Sequence, residues 1–132
     1  MKHRRLLAGL AMTLVPLTAG AEVSGADLFE RHCAVCHGAG ATGDGPLAPA
    51  LVLQPKDLTL LAEQNAGIFP VIRVVMRIDG RDPLVSHGSP MPVYGEYFAG
   101  NDMPIKAETG QPILAVEEVV ALTEFLRDLQ AE

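Results

Sequence analysis

The chain has 132 residues, 48% of them hydrophobic and 20% charged, with 16 acidic against 10 basic side chains and a formal net charge of -6. That is material for one globular domain, not two. No basic run follows residue 5, so the clustered Lys and Arg that a phosphate backbone requires are missing and nucleic acid is excluded as an expected partner.

Residues 1–21 read as an export signal: Lys2, His3, Arg4 and Arg5, then an apolar run from Leu6 to Thr18, then the small residues Ala19-Gly20-Ala21. Cleavage after Ala21 leaves a domain of residues 22–132. With Lys2, Arg4 and Arg5 gone, Lys and Arg fall from 10 to 7 against the same 16 acidic residues, and the formal charge moves from -6 to -9. A periplasmic location is expected. The apolar run covers 13 positions and is broken by Pro16, too short to span a bilayer, so the cleaved chain is not expected to cross a membrane. An uncleaved anchor is the lesser reading.

In chain order, Ser24 is placed to cap a first helix that runs through Leu28 and Phe29 to Cys33. Residues 38–55 are rich in Gly, Ala and Pro and predict a long loop of the kind that a bound group orders. Asp57 is expected to open a short helix through Leu58, Leu60 and Leu61, and Pro70 to start a third helix that ends at Asp79-Gly80. Pro83, Pro90, Pro92, Pro104 and Pro112 predict a second extended loop. Val116 to Leu129 places Val119, Leu122, Phe125, Leu126 and Leu129 on one stripe, with Glu117, Glu118, Glu124 and Asp128 opposite, the strongest helix of the chain. No strand alternation stands out, so the fold class is all-α, with four to five short helices.

The only cysteines are Cys33 and Cys36, and His37 follows, giving the Cys-x-x-Cys-His attachment motif of a c-type haem. On one helical turn the two thiols reach two vinyl groups of a single porphyrin, and the imidazole turns toward its iron. Three other readings compete. A dithiol redox pair needs no histidine at the next position, a chance event of about one in thirty for this composition. A zinc site needs four ligands, and no second paired motif exists beside His32, His37 and His87. A disulfide closing so short a loop would constrain little. The core is poor in large side chains, with 4 Phe, 2 Tyr and no Trp, and a buried porphyrin would fill it.

The sixth iron ligand has several candidates: Met76, Met91, Met103, His32 and His87. Met76 lies in an apolar helix and reads as core filler. Met91, in Ser89-Pro90-Met91-Pro92, sits on a loop stiffened by proline on both sides, and Met103, in Asp102-Met103-Pro104, has a weaker version of that setting. His87 reads as a loop histidine and His32 as solvent-facing. Arg73, Arg77 and Arg81 read as a solvated stripe, with a haem propionate as the other use for one of them.

With Gly25 and Phe29 ahead of Cys33, and Leu122 and Phe125 near the end, the sequence resembles the class I c-type cytochromes, small exported monohaem electron carriers, over the whole chain after residue 21. The resemblance implies a cytochrome c-like fold around one covalently bound haem c. It implies that Gly25 and Phe29 cross Leu122 and Phe125, and that a proline carbonyl orients His37, for which Pro46 is the candidate. Met91-Pro92-Val93-Tyr94-Gly95, preceded by Ile78-Asp79-Gly80-Arg81, looks like the methionine segment of proteobacterial relatives, while Met103 gives the more usual spacing to the last helix. The expected function is single-electron transfer between redox proteins through His/Met-ligated iron, not stand-alone catalysis. The acidic surface implies partners with a basic docking patch. A cytochrome subunit of a larger oxidoreductase and a haem-based sensor with an open sixth position are the alternatives.

Overall fold

The computed structural model describes residues 22–82 and 91–130. The expected export signal, His87 and Pro90 lie outside the described residues.

Ser24 caps α1 (Gly25–His32) by accepting the Asp27 N–H at 3.2 Å, and Leu28 and Phe29 are its buried face. The helix breaks at Cys33 and resumes for a single turn as α2 (Ala34–His37), which Gly38 ends with a left-handed φ of 78°. As expected, residues 38–55 are irregular apart from a 3-10 turn, Ala48–Ala50, and the irregular backbone continues to residue 58. The helix expected from Asp57 does not form. One carboxylate oxygen of Asp57 accepts both the Thr59 N–H at 2.9 Å and the Thr59 hydroxyl at 2.6 Å, a local turn that competes with helix, and only a 3-10 turn, Glu63–Asn65, follows.

Helix α3 (Val71–Asp79) begins after Pro70 and stops at Gly80, where φ is 89°. Its inner face is Val71, Val74, Val75 and Ile78. The described chain is mostly helical, as expected, with one addition, an antiparallel hairpin in which β1 (Asp102–Lys106) pairs with β2 (Pro112–Val116), Met103 opposite Ala115 and Ile105 opposite Ile113. Pro104 and Pro112 argued against strands, but a two-stranded sheet consists of edges, where a missing N–H costs little. Gly110, at φ 85°, supplies the reversal.

Helix α4 (Glu117–Asp128) closes the fold, with Glu117 and Glu118 in its first turn and Arg127 in its last, both signs suited to the helix dipole. It buries Val119, Leu122, Thr123 and Leu126. Thr123 satisfies its hydroxyl by donating to the Val119 carbonyl at 2.7 Å. After the helix, Gln130 stitches the chain end to the middle. Its amide oxygen accepts the Ala62 N–H at 2.8 Å while its nitrogen donates to the carbonyls of Leu58 and Leu126. None of the helices among the described residues is long and apolar enough to cross a membrane.

Helices α1 and α4 cross where the sequence places Gly25 and Phe125. A Cβ on Gly25 would collide with the Ala121 carbonyl oxygen, so only glycine lets the two backbones approach this closely. Next to it the Phe29 and Phe125 rings meet at 5.3 Å in a tilted pair, above a core in which Phe29, Val75, Val119 and Leu122 are sealed from solvent. Gly25→Val should therefore cost about 2 kcal/mol through overpacking. The holoprotein's thermal midpoint should fall by roughly ten degrees, read by far-UV circular dichroism.

Candidate functional site

The turn Cys33–His37 is held from two directions. Within it, the Cys33 carbonyl accepts the N–H groups of Cys36 at 3.1 Å and His37 at 2.9 Å, which places both thiols and the imidazole on one helical turn. At its end, where intrahelical partners run out, the carbonyls of Val35, Cys36 and His37 accept the N–H groups of Leu47, Gly45 and Gly43 at 2.9, 3.1 and 2.8 Å. Alternate residues of the loop are used, so Asp44 and Pro46 stay exposed, and Pro46 falls where no N–H is needed. Gly45 has no room for a side chain. A Cβ there would lie 2.5 Å from both the carbonyl carbon and the oxygen of Cys36.

The loop returns to deliver a carbonyl to His37. It belongs to Lys56, whose oxygen lies 3.0 Å from His37 Nδ1, and this corrects the assignment to Pro46, which the alternate pairing of the loop directs outward. A carbonyl can only accept, so Nδ1 carries the proton and donates it, leaving the Nε2 lone pair for a metal. Burial lowers the pKa of His37, opposed by the hydrogen bond to Lys56, and the neutral ring is the form that ligates.

Cys33 and Cys36 are both free, half-buried thiols. Burial, and then the neighbouring Cys36, push the Cys33 thiol up to about 11, so it is protonated at neutral pH. Among the described residues no group of three or more His, Cys, Asp or Glu is arranged around a metal. The zinc reading thus lacks ligands there.

Of the sixth-ligand candidates, Met91 is half-buried and packs against the same apolar cluster as Cys33. Met103 sits on β1 with 43% of its surface exposed. Met76 is part of α3. His32 is not solvent-facing as expected, for its half-buried ring meets Tyr94, Tyr97 and Phe98 edge-on at 5.7, 5.5 and 5.5 Å. The arginine stripe is largely paired: Arg77 with Asp82 at 2.8 Å, and Arg81 with Asp79 and the Leu114 carbonyl. Arg73 is exposed. A cavity of about 310 Å³ beside Asp79, Arg81 and Gly95 contains none of the motif residues.

The chemistry of this donor set fits a haem. Two thiols one turn apart, a histidine in a fixed tautomer and a thioether against the same core are present. Apolar Leu47, Val52 and Leu53, on the loop that follows the motif, are exposed. Compared with known families, residues 23–130 match the cytochrome c model. The chain belongs to the cytochrome c family. It is a haem-based electron-transfer cytochrome, and membership implies covalently bound haem c. Neither curated proteins nor solved structures give a significant match.

Two residues of this cytochrome's site were not anticipated. Lys56 acts through its backbone, which residue type does not advertise, although Pro55 before it marks a stiffened turn. Tyr94 acts at long range, its hydroxyl donating to the His32 carbonyl at 2.9 Å. Burial first, then Cys33 and Cys36, raise the Tyr94 pKa, so the hydroxyl keeps its proton. Gly45→Ala should force apart the loop and the motif turn, costing about 2–3 kcal/mol because the obstructing atoms are backbone. The yield of covalently loaded protein should fall with it, measured by haem absorbance per mole of polypeptide.

Proposed function

We propose that this cytochrome is an exported, periplasmic carrier that passes single electrons between protein partners, with Cys33 and Cys36 as the thioether attachment points and His37 and Met91 as the axial ligands. The observation that carries the proposal is the hydrogen bond from His37 Nδ1 to the Lys56 carbonyl, which leaves Nε2 free on the same turn as two reduced thiols. When bound, haem supplies a reversible one-electron ferric–ferrous couple.

The protein's own groups keep that couple simple. His37, fixed by Lys56, cannot rotate without breaking a 3.0 Å bond. The Met91 thioether is a soft ligand that stabilises the reduced state and raises the potential, and its packing on the core supports it over exposed Met103. The irregular 38–58 segment is tied to the carbonyls of Val35, Cys36 and His37, which holds the loop against the motif turn. A turn held in this way would need little rearrangement on a change of charge at a bound metal.

Residues 1–21 support export through their basic start, apolar run and small-residue end. The acidic surplus supports docking to a basic patch on the partner.

The ferric holoprotein should display the long-wavelength methionine-to-iron charge-transfer band. Met91→Ala should abolish it and lower the potential, while Met103→Ala leaves both unchanged. High-spin ferric spectra in the unmutated protein would favour a sensor with an open sixth position instead. Cys33→Ser and Cys36→Ser should each leave a single thioether, seen as a shift of the reduced pyridine adduct's α-band. The bimolecular rate with a basic redox partner should fall steadily as ionic strength rises from about 10 mM to about 500 mM, a range over which the Debye length shrinks severalfold. A salt-independent rate measured by stopped flow would count against the docking model.

A further inference from the structure

Helix α1 ends at His32, where the regular pattern breaks: the Cys33 N–H still reaches back to the Phe29 carbonyl, but the N–H of Cys36, four positions past His32, turns to the Cys33 carbonyl at 3.1 Å instead of the His32 carbonyl. A side chain 62 positions away supplies the missing donor, the Tyr94 hydroxyl, at 2.9 Å. The same residue is fixed at its backbone, where the Tyr94 N–H donates to the Ile78 carbonyl at 2.7 Å. Around it the segment is wedged against the end of α3. Val93 packs on Gly80, and Gly95 lies so close to the Asp79 carbonyl that a Cβ would collide. The Tyr94 ring is stacked with Phe98 at 5.5 Å and meets the edge of His32.

Tyr94 thus joins the two pieces of chain that, under the proposed function, would each carry one of the iron's ligands. One is the end of α1, one residue before Cys33; the other is the Met91-Pro92-Val93 segment, three residues before Tyr94. We infer that the Tyr94 hydroxyl is a positioning group for the sixth ligand, holding the Met91 segment against the haem-attachment turn through the His32 carbonyl. This inference rests on the reading of Met91 as the axial ligand. Without the hydroxyl, the ring still fills its place among His32, Tyr97 and Phe98, but the segment loses its polar tie and Met91 leaves the iron more often. Exogenous ligands then compete more successfully for the sixth position.

The test uses the full holoprotein and titrates the ferric form with imidazole, following the charge-transfer band. A neutral hydrogen bond of ordinary strength predicts that Tyr94→Phe raises the apparent affinity for imidazole about fivefold to tenfold. Covalent haem content and the thermal midpoint of the reduced protein should stay close to those of the unmutated protein. Tyr97→Phe, which keeps a ring in the same cluster and is 66% exposed, should leave imidazole affinity unchanged. Wild-type affinity in Tyr94→Phe would overturn the inference while leaving the ligand assignment standing. A charge-transfer band that survives Met91→Ala would remove the ligand assignment itself, and this inference with it. An equal rise in affinity for Tyr97→Phe would also overturn it, since the effect would then belong to the aromatic cluster and not to the hydroxyl.

Discussion

The hydrogen bond between His37 Nδ1 and the Lys56 carbonyl is the contact around which the site is arranged. It fixes a tautomer, and a tautomer decides whether an imidazole can face a metal. Nothing in the motif turn itself can supply that acceptor, because the carbonyls of Val35, Cys36 and His37 point along the helix and are already answered by the loop. The chain must therefore leave the turn, run about twenty residues and come back at a set distance. The glycines at 43 and 45 are the means: each brings backbone to backbone at a separation that any side chain would prevent.

The crossing of α1 and α4 performs a different task with the same device. Gly25 permits the approach, and the Phe29–Phe125 pair fills the space beside it. Because α1 continues directly into Cys33, the crossing sets the position of the attachment turn relative to the core. Helix α3 and both strands of the hairpin also pack on α4, so the last helix meets α1, α3, β1 and β2.

Where a residue's type carries its role, the sequence was enough to find it. Cys33, Cys36 and His37 announce a haem by spacing, the apolar stripe of α4 follows from periodicity and the stop at Gly80 from residue type, and the pairing of Gly25 with the last helix is what the resemblance to class I c-type cytochromes implies. What escaped was backbone chemistry and long-range partnership. Lys56 contributes a carbonyl that any residue could offer. The hairpin was hidden by Pro104 and Pro112, whose cost disappears at a sheet edge. The Asp57 helix was lost to a two-residue side-chain turn onto Thr59, a competition between nearly equal local options. His32 looked like a surface residue because the rings that enclose it arrive from residues 94–98.

The contacts that define the site divide sharply by the distance they span along the chain. His37 and Lys56 are 19 positions apart, whereas Gly25 and Ala121 are 96 apart. On a flexible-chain estimate, closing the longer loop costs about 1.4 kcal/mol more entropy than closing the shorter one. The attachment turn and its loop therefore form the inexpensive, local part of the fold, and the docking of α4 on α1 the costly, non-local part. A polypeptide emerging from its N-terminal side has all the residues for the first well before it has those for the second. The ordering lets the turn that carries both thiols take shape before the terminal helix docks on α1.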